Sequence, residues 1–119
     1  MHRVFQMPFA DVYPLYLKKV EAKGRNKSEL DQVINWLTGF NHAEIVDHIE
    51  KETNFRDFFH QARLNAEASL ITGVICGVRV EEIEDPLMQK IRYLDKIVDE
   101  LAKGKSLGKN TNRKKATTP

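Results

Sequence analysis

The sequence predicts an all-α fold: a compact bundle of five or six short amphipathic helices, followed by a disordered basic C-terminal tail. Three observations support this. Apolar residues recur at the spacing of one helix face, Asn, Asp and Gly stand where these segments would begin or end, and the connections are short. With 119 residues, 41% hydrophobic and 30% charged, the chain fits one globular domain, predicted over residues 1–104.

An extended segment, Arg3 to Pro8, is predicted before the first helix. The apolar face of this helix consists of Phe9, Val12, Tyr13, Tyr16, Leu17 and Val20. Asp11 is the predicted N-cap, which puts Pro14 in the first turn, where the missing N–H of a proline costs little. Gly24 supplies the left-handed residue that commonly ends a helix.

The second helix is predicted to begin at Asn26 or Ser28 and to run to Thr38, where Gly39 stops it. Its apolar residues are Leu30, Val33, Ile34 and Leu37. Their spacing of three and four positions places them on one side of the helix, which we expect to be buried.

The strongest local signal in the chain marks the start of the third helix. Asn41 can cap it, and Glu44, three residues later, can complete a capping box. Phe40 and Ile45 have the spacing of a hydrophobic staple. The helix is therefore predicted to run from about residue 42 to residue 52.

A short fourth helix is predicted after Thr53 or Asn54, with Phe55, Phe58 and Phe59 on one face. Asn65 can start a fifth helix that runs to Gly77. The β-branched residues between Ser69 and Cys76 make a strand the alternative, and helix is the preferred prediction.

The last helix has complete signals at both ends. Asp85 is a predicted N-cap and Pro86 occupies the first helical position. The helix ends near Lys103 and Gly104, and Asp99 has the favourable i,i+4 spacing to Lys103. Its apolar stripe consists of Leu87, Met88, Ile91, Leu94, Ile97, Val98 and Leu101.

The sequence favours a cytoplasmic protein. Its apolar runs are far shorter than the roughly 18 residues that a membrane span needs, so no membrane association is expected. The N-terminus lacks the apolar region and cleavage site of a signal peptide. The single cysteine, Cys76, cannot form an internal disulfide, and its apolar neighbours predict a buried structural thiol.

Residues 105–119 contain basic residues and no acidic ones, on a chain whose remainder is mildly acidic. The basic residues are Lys105, Lys109, Arg113, Lys114 and Lys115. A flexible solubilising tail is the preferred interpretation. Weak, nonspecific binding of nucleic acid through this tail is the alternative.

No catalytic or metal-binding set of residues can be assembled, and no cofactor or metal is expected. Glu44 and His48 have the i,i+4 spacing of helical metal ligands, but no further ligands complete a site, so a solvated helix face is preferred. The segment from Thr72 to Gly77 has the glycines of a phosphate-binding loop and lacks its lysine.

An acidic hinge before the last helix is flanked by two arginines. The acidic residues are Glu81, Glu82, Glu84 and Asp85, and the arginines are Arg79 and Arg92. Arginine–carboxylate pairs that hold the hinge together are the preferred interpretation. The alternative is a ligand pocket formed by Arg79, Glu81, Glu82 and Arg92, because clustered carboxylates can serve as acid and base.

Five sequence segments resemble a family of bacterial proteins known only as domain of unknown function 2200. They begin at His2, Val12, Lys23, Ile34 and Leu70, and read HRVF, VYPLY, KGR, INWLTGF and the long block that ends at Gly104. The resemblance covers nearly all of residues 2–104 and leaves the tail outside. It implies a small cytoplasmic bacterial protein, and it assigns no catalytic residues.

Amphipathic helices are abundant in this sequence and catalytic residue sets are missing. The leading hypothesis is therefore a non-enzymatic helical protein-interaction module that can associate with itself. Its surface would be the apolar stripe of the last helix or the edge around Trp36 and Phe40. The alternatives are a small enzyme or ligand-binding protein that uses the hinge pocket, and weak nucleic-acid binding through the tail.

Overall fold

A computed structural model describes residues 3–104, which contain five α-helices and one small sheet. The helices are α1 (Phe9–Glu21), α2 (Lys27–Thr38), α3 (His42–Glu50), α4 (Phe55–Gln61) and α5 (Pro86–Ala102). The antiparallel strands are β1 (Val74–Ile75) and β2 (Val78–Arg79), and short 3₁₀ helices span Arg3–Gln6, Ala68–Leu70 and Val80–Glu82. The all-α prediction is confirmed. The predicted basic tail, with its nucleic-acid binding, lies outside the described residues.

Helix α5 forms the centre of the bundle and packs against α1, α2 and α4. Its predicted apolar stripe faces inward. Ile91, Leu94, Ile97, Val98 and Leu101 are buried, and Leu87 and Met88 pack at the edge of the core. Burying a side chain of this size stabilises a fold by about 1.5–3 kcal/mol. The stripe therefore contributes substantially to tertiary stability.

Phenylalanines from several segments meet at the other end of the core. The three phenylalanines of α4 are buried, as their shared face predicted. The rings of Phe9 and Phe58 stack at 4.4 Å between centroids, and Phe40 meets Phe58 at 5.0 Å. This aromatic cluster joins α1, α4 and the turn before α3.

Side-chain caps begin four of the five helices. The capping box predicted at Asn41 is present, and Asn54 and Asp85 cap α4 and α5 as expected. A second box, formed by Asn26 and Glu29 at the start of α2, was not predicted. Each such cap is worth about 1 kcal/mol.

The predicted start of the first helix is wrong. Helix α1 begins at Phe9, and its N-cap is Pro8, which offers no side-chain cap. Asp11 therefore lies in the first turn and Pro14 inside the helix. The cause is tertiary: the amide of Phe9 donates to the carbonyl of Thr53 at 2.8 Å, which holds this end against the loop before α4. The preceding segment is a 3₁₀ helix rather than extended chain.

Two helix ends also differ from the prediction. Helix α1 ends at Glu21, and the left-handed Gly24 follows after a turn. Helix α3 ends at Glu50, and Glu52 has a positive φ of 55° that breaks the helix. Gly39 ends α2 as predicted, with a φ of 78°.

The predicted fifth helix, from Asn65 to Gly77, is wrong. A single 3₁₀ turn is followed by a hairpin in which Val74 pairs with Arg79 and Ile75 with Val78. The strand alternative is therefore correct for Val74 and Ile75. The side-chain amide of Asn65 donates to the carbonyl of Trp36 at 3.1 Å, so this asparagine fixes a loop to α2 instead of starting a helix.

Candidate functional site

Asp31 lies at the centre of a polar cluster between α1, α2 and the start of α3. The hydroxyl of Tyr13 donates to Asp31 Oδ1 at 2.5 Å. Lys27, one turn earlier on α2, donates to Asp31 Oδ2 at 3.2 Å, and His42 Nδ1 lies 3.2 Å from the same oxygen. These four residues form the Asp31 cluster. Groups from three helices thus converge on one carboxylate.

The inner and outer members of the Asp31 cluster differ in exposure. The side chain of Asp31 is 14% exposed and Tyr13 is buried, whereas the side chains of Lys27 and His42 are 50% and 67% exposed. Because Asp31 accepts the bond, we assign the hydrogen of the imidazole to Nδ1, which leaves Nε2 for another partner. The cluster therefore turns its cation and its imidazole toward solvent.

The surroundings of Tyr13 and Lys27 keep both side chains protonated at neutral pH. Burial, and next the bond to Asp31, raises the pKa of Tyr13 to about 12, so its hydroxyl remains a donor at neutral pH. Tyr13, and to a smaller extent Asp31, raises the pKa of Lys27 above its ordinary value, so its ammonium group stays charged. That nitrogen also lies 5.5 Å from the centre of the Tyr13 ring, within cation–π range.

A groove of about 600 Å³ opens beside the Asp31 cluster. It is lined by Lys27, Ser28, Asp31, Gln32, Asn35, Asn41 and His42. Small-molecule sites usually have volumes of about 300–1,000 Å³. The groove therefore has the size and the polar groups of a ligand site.

The sequence analysis did not identify this groove. It placed Tyr13 on the apolar face of the first helix, which is correct for the ring, and gave no role to Lys27, Asp31 or His42. The i,i+4 spacing of Lys27 and Asp31 was a visible signal of an ion pair. The bonds from Asp31 to Tyr13 and His42 join residues 18 and 11 positions apart, so they depend on helix packing.

The acidic hinge contains one of the expected arginine–carboxylate pairs. Arg79 Nη1 lies 3.5 Å from Glu81 Oε2, and the amide of Gly73 donates to Glu81 Oε1 at 2.9 Å. That amide is the main cause that lowers the pKa of Glu81. Arg79 and Glu82 line a depression of about 490 Å³ at the hinge. Three of the four residues of the predicted pocket are therefore neighbours, while Arg92 points to another partner.

Arg92 belongs to a second polar cluster. Its Nη1 donates to Asp95 Oδ2 at 2.6 Å, and the hydroxyl of Tyr16 donates to Asp95 Oδ1 at 2.6 Å. The Sγ of Cys76 lies 3.4 Å from the same guanidinium nitrogen. These four residues form the Asp95 cluster. Burial, and next the charge of Asp95, raises the pKa of Tyr16 well above its ordinary value.

Cys76 is exposed, so the predicted buried thiol is wrong. Cys76 and Gly77 form the two-residue turn of the hairpin, and both have positive φ, 53° and 80°. This is the backbone of a type I′ turn, which favours Asn and Gly. The apolar neighbours of Cys76 are strand residues, and the turn directs its own side chain away from the core.

The predicted interaction edge around Trp36 and Phe40 is largely internal. Phe40 is buried against His48 and Phe58, with ring centroids at 4.5 and 5.0 Å. Trp36 is half-buried and packs against the core. The side chain of Asn35 donates to the carbonyl of Phe40 at 2.8 Å, which fixes the turn between α2 and α3.

Within residues 3–104, no three His, Cys, Asp or Glu side chains converge as metal ligands would. Glu44 belongs to the capping box of α3. His48 is buried, contrary to the solvated face that its spacing suggested, and its Nδ1 lies 2.9 Å from the hydroxyl of Thr53. Burial lowers the pKa of His48, so its ring is neutral in the fold.

The family of the chain follows from its sequence as a whole. A family model described as "Uncharacterized protein conserved in bacteria", DUF2200, matches residues 3–111. The chain belongs to the DUF2200 family. The crystal structure of "uncharacterized protein SP1917" is 42% identical to it, with a TM-score of 0.87, and the match covers 96% of this chain and 97% of that one. No curated protein matches the chain.

The DUF2200 match confirms the resemblance carried by the five sequence segments. It extends to residue 111, beyond the end predicted at Gly104. Neither the DUF2200 description nor the name of the crystal structure states an activity. Among the described residues of this DUF2200 protein, no helix is both long and apolar enough to cross a membrane.

Proposed function

We propose that the protein is a non-enzymatic binding module of the bacterial cytoplasm, and that it holds a small polar ligand in the groove between α2 and the start of α3. The observation that carries this proposal is the Asp31 cluster at the rim of the groove. Asp31 fixes Lys27 and His42, both largely exposed, beside a volume of about 600 Å³. Side chains that are already held in place lose little conformational entropy when a ligand binds.

The groove fits this role better than the surfaces that the sequence suggested. The apolar stripe of α5 and the ring of Phe40 belong to the core, so a partner could reach them only by opening the fold. The depression at Arg79 and Glu82 is smaller, about 490 Å³, and its arginine is already paired with a carboxylate. Unlike these surfaces, the groove combines volume with two exposed nitrogen groups that Asp31 holds in place.

The proposal would be tested by adding a library of small polar compounds to the protein and recording its amide chemical shifts. We expect a binding compound to shift the amides of Lys27, Gln32 and His42 first. Gln32→Trp places an indole on the exposed face of α2 that lines the groove, and it should abolish these shifts. Gln61→Trp, the same change at an exposed position of α4, is the matched control and should leave binding intact.

Two results would count against a groove ligand. If the compounds shift only the amide signals of residues outside the groove, the ligand site lies elsewhere. Binding that survives Gln32→Trp would have the same meaning, provided that the circular dichroism of the variant matches that of the parent protein.

Protein interaction through the hairpin is a second candidate, and one observation favours it. Val74 and Val78 are 52% and 42% exposed, and Leu70, which precedes the hairpin, is also exposed. The register pairs Val74 with Arg79 and Ile75 with Val78, so Val74 and Val78 lie on opposite faces of the hairpin. Within residues 3–104 each strand pairs only with the other, so the partner proposed for the hairpin is the edge strand of a second copy of the chain.

Native mass spectrometry would test self-association. We expect a dimer that Val78→Glu dissociates, since a buried unpaired carboxylate is strongly unfavourable. Leu15→Glu changes an exposed leucine of α1 in the same way and should leave the dimer intact. A parent protein that remains monomeric at high concentration would remove this candidate and leave the groove proposal unaffected.

A further inference from the structure

We infer that the ligand of the groove carries an oxyanion, a carboxylate or a phosphate, which binds between Lys27 and His42. This inference rests on the function proposed above and adds the chemical class of the ligand. Both side chains line the same groove. An oxyanion that bridges them would form charge-assisted hydrogen bonds, which are roughly twice as strong as neutral ones.

The carboxylate of Asp31 keeps its negative charge, but its oxygens face their own donors rather than an anion that enters the groove. Asp31 Oδ1 accepts from the hydroxyl of Tyr13, and Oδ2 faces both Lys27 and His42. Its side chain is 14% exposed. A ligand that approaches from solvent therefore meets the nitrogen groups before it meets Asp31.

The other carboxylates at this end of α2 and α3 are engaged in helix capping. Glu29 Oε1 accepts from the amide of Asn26 at 3.0 Å, and Glu44 Oε1 accepts from the amide of Asn41 at 2.9 Å. These bonds hold the two carboxylates at their own helix ends. Lys27, which also pairs with Asp31, is thus the cation that lines the groove.

Lys27 and His42 each keep bonding capacity for a ligand. An ammonium group has three hydrogens, and Lys27 gives one of them to Asp31. His42 uses Nδ1 for Asp31 and keeps Nε2, which accepts in the neutral ring and donates to an oxyanion only in the imidazolium form. Asp31 acts as a positioning residue that holds both groups at the rim. Ser28 and Gln32 add a hydroxyl and an amide to the same lining.

Three probes that each carry one phenyl ring would test the class of ligand: benzoate, phenyl phosphate and benzamide. Each is titrated into the full chain at equal ionic strength, and the amide chemical shifts of the protein are followed. We expect at least one of the two anions to shift the amide signals of Lys27 and His42 until the shifts saturate. Benzamide should bind more weakly. Tighter binding of benzoate would indicate a carboxylate ligand, and tighter binding of phenyl phosphate would indicate a phosphate ligand.

The decisive variant is Lys27→Gln, which keeps a hydrogen-bond donor on a side chain one atom shorter and removes the charge. It should weaken binding of the anions by roughly tenfold and leave the binding of benzamide unchanged. Lys51→Gln is the matched control, since Lys51 forms the same i,i+4 pair with Asp47 at 3.1 Å on α3 and does not line the groove. Thermal unfolding of both variants shows whether they are folded.

The possible outcomes separate this inference from the proposed function. If benzamide binds in the groove as tightly as the anions, the groove is a ligand site and the oxyanion inference is wrong. If Lys51→Gln weakens the anions as much as Lys27→Gln does, the shifts report general charge screening and the inference is also wrong. If no library compound or probe perturbs the groove, the proposed function itself fails.

Discussion

The two polar clusters share a tyrosine, an aspartate and a cation, yet they lie in different surroundings. Each contains a tyrosine of α1 that donates to an aspartate, at 2.5 Å in the Asp31 cluster and 2.6 Å in the Asp95 cluster. Each aspartate also pairs with a cation about one turn earlier on its own helix. The clusters thus fasten α1 to α2 on one side and to α5 on the other.

The difference lies in what covers the cation. The side chain of Lys27 is 50% exposed beside a groove, whereas that of Arg92 is 27% exposed and touches Cys76 at the tip of the hairpin. A tyrosine–aspartate–cation arrangement therefore closes a helix interface where the hairpin covers the cation and borders a groove where solvent reaches it. The exposure of the cation separates the structural cluster from the candidate site.

The largest expected effect comes from removal of the aspartates. Asp95→Ala leaves the buried hydroxyl of Tyr16 and the guanidinium of Arg92 without their acceptor, so the free energy of unfolding should fall by about 2–3 kcal/mol. Asp31→Ala should cost only about 1 kcal/mol, because water can solvate the exposed members of its cluster. Urea unfolding of both variants measures this difference. Equal losses would show that exposure does not distinguish the clusters.

Alkaline pH should weaken both clusters. The pKa of Tyr13 is raised to about 12 and that of Tyr16 well above 10, so the folded state favours their protonated hydroxyls. Their contribution is complete below pH 10 and is lost as the pH rises through the folded-state values. For Tyr13 the loss is on the order of 2 kcal/mol.

Denaturant unfolding at a series of alkaline pH values would measure this loss. Tyr16→Phe and Tyr13→Phe should each flatten the decline, since burial raises the pKa of both hydroxyls. A decline of the same steepness in the Tyr16→Phe variant would contradict the assignment of that shift to this cluster.

Lowering the pH should reveal how the buried His48 of α3 affects the stability of the fold. Burial holds the pKa of His48 below its ordinary value of 6.5, so below pH 6.5 the unfolded chain binds more protons than the fold. The stabilising contribution is therefore intact above pH 6.5 and is lost as the pH falls. His48→Phe should remove much of this acid dependence, and His42→Gln, at the exposed position, should retain it. Thermal unfolding between pH 7 and 5 checks both, and the reverse ranking would refute the prediction.

The smallest effect is expected at the turn that covers Arg92. Cys76→Asn suits the positive φ of this position and should stabilise the hairpin by about 0.5 kcal/mol, reduced by the loss of the thiol contact to Arg92. Thermal unfolding measures this change. The exposed thiol of the parent protein should also react with a disulfide reagent without denaturant. A thiol that reacts only in the unfolded protein would show that the turn points inward.

Local sequence signals were sufficient for most of the helices. The cap at Asn41, the αL end at Gly39 and the Asp85–Pro86 start of α5 each depend on residues a few positions apart, and all three are present. The apolar stripe of α5 was also read correctly, since helical periodicity is a property of a single segment. It was read as a possible docking surface because the sequence does not show what covers an apolar face.

The errors occur where distant segments meet. The start of α1 is set by the bond from Phe9 to the carbonyl of Thr53, and the predicted fifth helix is replaced by a loop that Asn65 attaches to the end of α2. Apolar, β-branched sequence is compatible with either a helix or a strand in this region. The positive φ angles at Cys76 and Gly77 favour the hairpin, and only the tertiary structure shows them.

The sequence by itself determined the helical class, the buried face of each long helix and most of the caps, because these depend on interactions within about one or two turns. The tertiary structure alone decided which polar residues of different helices meet. The bonds from Tyr13 to Asp31 and from Tyr16 to Asp95 join residues 18 and 79 positions apart, and they form because α1 packs against both α2 and α5. Helix packing also decides that Lys27 faces a groove while Arg92 lies beneath a hairpin, so the candidate site is a property of the assembled fold.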